Sequence, residues 1–392
     1  MKKRLFIVSN YLTLLFSLAA IKMSGVESEN HLMLVANFCK QKYFDDMNLF
    51  SADYNAFSSV SVLDDYENRQ THEIDISKYI SDIGVDIFEE IYATCYYEQG
   101  IKFMKFFENA DLFFLSNGLA SYFPQKDEPE FYKRFKGFYY LNYFDKMIPF
   151  LVSENFIKGI PVDREFFINA FKNIADKIDL NPVNERSVVL CVQNLFFNNK
   201  NITPQQEYGE YKRIAEYFLS QGFVVYLKDH PRTPNVFNIY MQHPRVIPLK
   251  DYDTYPVESV IMKLKPTFVV SLFSTSLFNA KDLFGIDGCS FELVYPLEGL
   301  HLCGHVMTKS YFKSLGASTN HLVKIDSLYN QVLYEVLMFA FAKKHCSRER
   351  FENLQSNLKN VFLDDFAFLK LKKEFLEMLK YKSYEQYLKW QN

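Results

Sequence analysis

Short, unbroken apolar runs recur along this chain, each followed by a stretch with helical spacing, and that alternation admits few folds. Ser187–Val192 (Ser-Val-Val-Leu-Cys-Val) lacks the polar alternation of a half-exposed strand, so both faces need cover. A loop from Gln193 to Asn201 follows. Thr203-Pro204-Gln205-Gln206 then places an N-cap, a proline at the first helical position and a capping-box glutamine. Tyr208, Tyr211, Ile214, Ala215, Phe218 and Leu219 continue at helical spacing, and Gly222 stops the helix. Phe223–Leu227 reads as the next strand. A helix opens near Tyr255-Pro256, runs to about Leu264 and is ended by Pro266; Thr267–Leu272 is a further strand; a helix from about Leu277 to Leu283 is closed by Gly285. Strands joined by such crossover helices form a parallel, doubly wound sheet that binds ligands beyond the carboxyl ends of its strands.

The first half repeats the pattern more loosely. Leu5–Val8, Leu32–Ala36, Val60–Leu63 and Asp111–Leu115 read as strands, and the longest helix-like stretch runs from about Ile80 to Phe107. Met1-Lys2-Lys3-Arg4 before Leu5–Val8 could open a signal peptide. The polar interruption at Ser9, Asn10 and Thr13, with no small-x-small site before Lys22, favours a buried strand, a turn and a helix from about Tyr11 to Met23. The expected organisation is a Rossmann-like domain over 1–153, an inter-domain segment over 154–186 punctuated by Pro161 and Pro182, a second Rossmann-like domain over 187–345 and a helical tail over 346–392. From Leu369 on, the tail holds six Lys against three Glu, which suits contact with an anionic membrane surface or, equally, a solvated helix face.

Several functions fall away. With 44 basic and 47 acidic residues the net charge is −3, which argues against a nucleic-acid partner held by backbone charge. The six cysteines form no CxxC, and Cys39, Cys191 and Cys289 sit in apolar runs as small buried hydrophobes of a reducing compartment. No GxGxxG follows a strand, and the Gly299–Gly304 spacing is followed by His305 rather than the Lys of a P-loop. The dispersed histidines offer no paired metal-ligand spacing, so no metal is expected.

Three strand-end or helix-start clusters remain. Lys228-Asp229-His230-Pro231-Arg232 puts cationic and protonatable groups directly after a strand, and Pro231 holds His230 extended. An imidazole so placed can hold a phosphate and donate a proton to it; the plain alternative is a charged surface loop. Ser274-Thr275-Ser276 presents hydroxyls and free backbone N–H groups at a helix start, which can hold an anion, although taken alone the cluster fits ordinary capping better. Glu258, in the first turn after Tyr255-Pro256-Val257, can accept from a ribose diol or simply complement the helix dipole.

Taken in order, basic-x-His-Pro-Arg at a strand end, Pro-x-Glu on a helix and Ser-Thr after a strand resemble the bacterial sialyltransferases and polysialyltransferases, of glycosyltransferase family 52 type. The resemblance implies a GT-B fold, in which two Rossmann-like domains face a central cleft, with C-terminal helices. It implies an inverting, metal-independent, cofactor-free transfer of sialic acid or a related nonulosonate from its CMP donor to a hydroxyl of a bacterial surface glycan, lipooligosaccharide or capsule. Carried over, His230 assists departure of CMP; Ser274 and Thr275, with Lys228, Arg232 and Ser276, hold the phosphate; Glu258 binds the ribose; and Gln193 stands in the cytosine-contacting loop. Asn10, after the first strand, falls on the acceptor side. A cytoplasmic protein, peripheral on the inner face of the membrane, is implied as well.

One departure stands out. The family carries acidic-acidic-Gly at the end of an N-domain strand, where a carboxylate acts as general base; this chain has Leu115-Ser116-Asn117-Gly118. An amide takes no proton near neutral pH. Asp111, Asp145 and Glu154 are the candidate substitutes. The alternatives are another cytidine donor, CMP-Kdo or CDP-glycerol, and a catalytically impaired relative that binds nucleotide or glycan.

Overall fold

The computed structural model describes residues 1–35, 41–52, 54–63, 87–94, 106–122, 132, 134–145, 147–153, 155–193, 203–231, 242–271, 274–291, 322–325 and 352. The sequence readings at Cys39, Cys95, Glu154, Arg232, Cys303 and Cys346, and the C-terminal helical tail apart from residue 352, lie outside them.

The first sheet has seven parallel strands: β1 (Lys2–Val8), β2 (Ser28–Val35), β3 (Ser59–Leu63), β4 (Glu90–Ala93), β5 (Asp111–Leu115), β6 (Phe135–Tyr140) and β7 (Gly159–Pro161). Their order is β3-β2-β1-β4-β5-β6-β7, so the winding reverses between β1 and β4. Leu5–Val8 is buried at the centre of this sheet. The helix that follows, α1 (Tyr11–Ser24), is capped by Asn10, whose Oδ1 accepts from the Thr13 N–H at 2.9 Å, and ends at Gly25 with φ +60°. Tyr11 and every residue from Thr13 to Ala20 are buried, because α1 lies between the sheet and α3 (below). A helix apolar all round is one covered all round, which accounts for its likeness to a signal peptide. α2 (Gln41–Ala52) completes the described helices before β3.

One expectation fails here. The stretch from Ile80 to Phe107, read as helix-like, contains the central strand β4 between β1 and β5. Glu90 hid it: a carboxylate in a short run argues against a buried strand. Here Arg4 Nε and Lys2 Nζ each reach that carboxylate at 2.6 Å, and Tyr92 Oη donates to it at 2.8 Å. Burial pushes the Glu90 pKa up, but the hydrogen bonds from Lys2, Tyr92 and Arg4 outweigh it, and the net shift is downward.

Residues 154–186, read as a linking segment, contribute the edge strand β7 and helix α3 (Arg164–Lys177). Pro161 fits at that edge, where no neighbouring strand needs its missing N–H. α3 packs on α1 through Phe16 and Phe167, 4.8 Å apart, and on the helices of the second lobe, with Phe171 against Phe284.

The second sheet orders as β10-β9-β8-β11-β12-β13, parallel except for β13. Its strands are β8 (Ser187–Cys191), β9 (Val224–Lys228), β10 (Val246–Pro248), β11 (Phe268–Ser271), β12 (Asp287–Phe291) and β13 (Leu322–Ile325). Helices α4 (Pro204–Ser220), α5 (Val257–Leu264) and α6 (Thr275–Phe284) flank it. Thr203 and Gln206 form the expected capping box of α4. Val188, Leu190 and Val192 pack with Tyr211, Ile214 and Phe218 on one face, while Val189 and Cys191 join the larger core shared with the first lobe. Both faces of β8 are therefore covered, as its unbroken apolar run requires. The winding reverses between β8 and β11, and one cavity is lined by loops after strands of both sheets, which makes the architecture GT-B.

Candidate active site

The two switch points face one another. A cavity of about 360 Å³ opens between them, lined by Asn10, Tyr11 and Asn117 from the first lobe and Gln193, His230 and Ser274 from the second, among others. Of the residues singled out from sequence, Lys228, Glu258, Thr275 and Ser276 also line it. Gly118 lies just behind Asn117.

On the second-lobe side, β9 delivers Lys228 at its carboxyl end and His230 two residues later. Lys228 is buried, and its Nζ donates to the Asp253 carbonyl oxygen at 3.1 Å. Burial pulls its pKa below the ordinary lysine value, against the pull of Asp253, Cys191, Asp229 and Glu258. The thiol of Cys191, in the same wall, is pushed up to about 12 by burial. Glu258 sits one residue into α5; burial raises its pKa, with a hydrogen bond from Asn279 Nδ2 at 2.7 Å acting the other way. Gln193 is placed by two contacts: its N–H donates to Tyr211 Oη at 2.7 Å, and its Nε2 reaches Ser271 Oγ at 3.4 Å.

The start of α6 carries both readings made of it. Ser274 is the N-cap, its Oγ accepting from the Ser276 N–H at 3.2 Å and lying 2.6 Å from Ser276 Oγ. The Leu277 N–H in turn donates to the Ser274 carbonyl oxygen at 3.1 Å, and this capped helix start, which lines the cavity, lends it the positive end of the helix dipole. Thr275 does something the sequence did not suggest. Its Oγ1 accepts a hydrogen bond from the Leu119 N–H of the first lobe at 3.0 Å. The hydroxyl proposed for phosphate thus also ties the lobes together.

Gly118 makes that tie sterically possible. Its φ is +112°, and a Cβ there would stand 2.4 Å from Thr275 Oγ1 and 3.0 Å from its Cγ2. Gly118→Ala therefore forces either the loop or α6 to move. Strain of this kind costs about 1–3 kcal/mol, and the expected result is a lower thermal unfolding midpoint with weakened transfer. An unchanged midpoint would mean the loop and the helix are not in contact in solution.

On the first-lobe side, Asn117 is half-buried. Its Oδ1 accepts from Ser121 Oγ at 2.9 Å, and its N–H donates to the same hydroxyl oxygen at 2.9 Å. Asn10 lines the cavity while capping α1. Of the substitute bases, Asp111 and Asp145 do not line the cavity, and Glu154 lies outside the described residues. Asp111 starts β5, at the sheet edge opposite the cavity, exposed and 3.7 Å from Lys136. Asp145 is exposed and pairs with Arg164 at 3.2 Å. Sequence reasoning also missed the aromatic wall of Tyr11 and Tyr43, whose rings meet edge-on at 5.4 Å, and the buried Asn279 behind Glu258. The only sequence signal of the two tyrosines is the general abundance of that residue, and Asn279 has none.

Among the described residues, no group of three His, Cys, Asp or Glu side chains is placed to hold a metal ion, and no helix is long and apolar enough to cross a membrane.

The model of the alpha-2,8-polysialyltransferase family matches residues 4–291. No curated protein matches the chain. Among solved structures, the chain is similar to the GT-B domain of the sialyltransferase from Photobacterium damselae, at 14% identity over 71% of this chain and 88% of that one, with a TM-score of 0.41. It is similar to the alpha/beta-galactoside alpha-2,3-sialyltransferase of Photobacterium phosphoreum, at 13% identity over 78% and 95%, with a TM-score of 0.44. The wall teichoic acid polymerase TagF is a third, at 11% identity over 97% and 90%, with a TM-score of 0.46.

Proposed function

Because the chain belongs to the alpha-2,8-polysialyltransferase family and is a glycosyltransferase, with a nucleotide-sugar donor and a glycan acceptor, we propose that it transfers sialic acid or a related nonulosonate from a CMP donor with inversion. The observation that carries this reading is the convergence of His230, the N-terminus of α6 and Glu258 on one cavity, opposite Asn117.

In the proposed reaction the oxygen of an acceptor hydroxyl attacks C2 of the donor sugar from the face opposite the phosphate and, with an amide at position 117, gives up its proton late, to solvent. The C2–O bond to phosphate breaks, and CMP departs with the electron pair. Charge grows on the phosphate oxygens, so groups that meet it there lower the barrier. His230 donates to the leaving oxygen; the N–H groups at the start of α6 and the hydroxyls of Ser274, Thr275 and Ser276 take the others, with Lys228 supplying positive charge from behind. Arg232 joins this set by sequence position. Glu258 accepts from the ribose, and Gln193 meets the cytosine. The reading needs neither metal nor cofactor. The acceptor would be a surface glycan such as lipooligosaccharide or capsule, met at the inner face of the membrane with help from the Lys-rich tail.

Asn117 favours one second reading: a relative that binds the nucleotide but does not turn it over. Incubation with a panel of CMP-sialic acid, CMP-Kdo and CDP-glycerol, with glycan acceptors present, separates the cases. Release of CMP from CMP-sialic acid alone is expected. Release from another donor only would replace the donor assignment, and CMP binding without release from any donor would favour the second reading.

A further inference from the structure

Behind Glu258 lies a buried hydrogen-bond relay that crosses from one lobe to the other. Tyr143 Oη, from the loop after β6, donates to Asn279 Oδ1 at 2.7 Å, and Asn279 Nδ2 donates to Glu258 Oε1 at 2.7 Å. Asn279 is 1% exposed, in the middle of α6, where an apolar residue would pack more simply. A buried amide is tolerated when its donors and acceptors are met, and here both ends are.

The loop that supplies Tyr143 is itself clasped. Phe144 and Asp145 have φ values of +54° and +58°; aspartate tolerates that conformation, but a bulky phenylalanine adopts it only when its surroundings impose it. The Phe144 N–H donates to Asp282 Oδ1 at 2.8 Å, Arg164 Nε pairs with Asp282 Oδ2 at 3.0 Å, and Arg164 Nη2 donates to the Asn142 carbonyl oxygen at 2.6 Å. Tyr143 and Phe144 both pack on Phe278. The first lobe thus grips α6 at the two turns that hold Asn279.

We propose that Asn279 is a positioning residue: held by Tyr143 across the lobe contact, it fixes one carboxylate oxygen of Glu258 and so aims the other at the ribose of the donor nucleotide. This rests on the assignment of Glu258 to the ribose made above. It makes recognition of the sugar hydroxyls depend on the lobes being docked, since half of the relay comes from each.

The test is the preference for CMP over 2′,3′-dideoxy-CMP, read by calorimetry beside the thermal unfolding midpoint. A carboxylate–hydroxyl contact is expected to give the wild type a preference of about tenfold or more. Glu258→Gln should remove most of it. Tyr143→Phe, which deletes one oxygen, and Asn279→Leu should each cut the preference by at least about threefold while leaving dideoxy-CMP binding unchanged, a pattern that general loosening of the fold would not produce. If Asn279→Leu does not fold, Tyr143→Phe decides alone. A full preference in Tyr143→Phe overturns the relay. A full preference in Glu258→Gln overturns the ribose assignment beneath it, and the two failures are told apart by which variant keeps the preference.

Discussion

Replacing His230 with Ala is expected to lower turnover by about 10²–10⁴-fold, the range associated with losing a positioned acid or base. In barrier terms that is about 3–5 kcal/mol. The fold should survive, because His230 stands beyond the last paired residue of β9, half-buried at the cavity rim, and no strand pairing depends on it. The loss should fall on turnover more than on CMP affinity: in the proposed reaction the N-terminus of α6 would still meet the phosphate in the ground state, whereas a proton donor would matter most as the bond to the leaving group breaks. Initial rates of CMP release, with circular dichroism to check the fold, measure it. Wild-type turnover in the variant would remove His230 from the mechanism and leave the α6 N-terminus without its partner.

How much of this was legible in the sequence depends on how local the signal is. The caps were: Thr203-Pro204-Gln205-Gln206 and Gly285 act within one turn, and the helices start and stop where these residues put them. The unbroken runs Leu5–Val8 and Ser187–Val192 were legible as buried strands because a parallel sheet covers both faces. β4 was not, because what makes Glu90 acceptable in a central strand is Arg4 and Lys2, 86 and 88 residues away. The same holds in the site. His230, Glu258, Gln193 and Ser274–Ser276 follow or flank strands, so chain order alone places them at one sheet edge. Thr275 meeting Leu119, 156 residues away, and Asn279 meeting Tyr143, 136 residues away, are products of lobe docking, and a threonine at a helix start or an asparagine in mid-helix carries no mark of it.

Asn117→Asp is expected to raise turnover by about 10²–10⁴-fold, the converse of losing a general base. The substitution changes one group and little geometry. Ser121 Oγ, which now donates to Asn117 Oδ1 at 2.9 Å, can donate equally to a carboxylate, and the Asn117 N–H keeps its bond to that hydroxyl. An Asp of ordinary pKa, about 3.9, is ionised at neutral pH, so it could take the acceptor's proton as the new glycosidic bond forms, where an amide cannot. Since position 117 lies on the first lobe, across the cavity from His230, CMP affinity should stay unchanged while the rate rises, and the gain should fade as pH falls through the carboxylate's titration. Rates of CMP release with acceptor present, set beside calorimetric CMP binding, resolve the two effects. A variant no faster than the wild type would mean that the acceptor proton leaves by another route, late and to solvent, and that position 117 serves to hold the loop through Ser121 rather than to accept a proton.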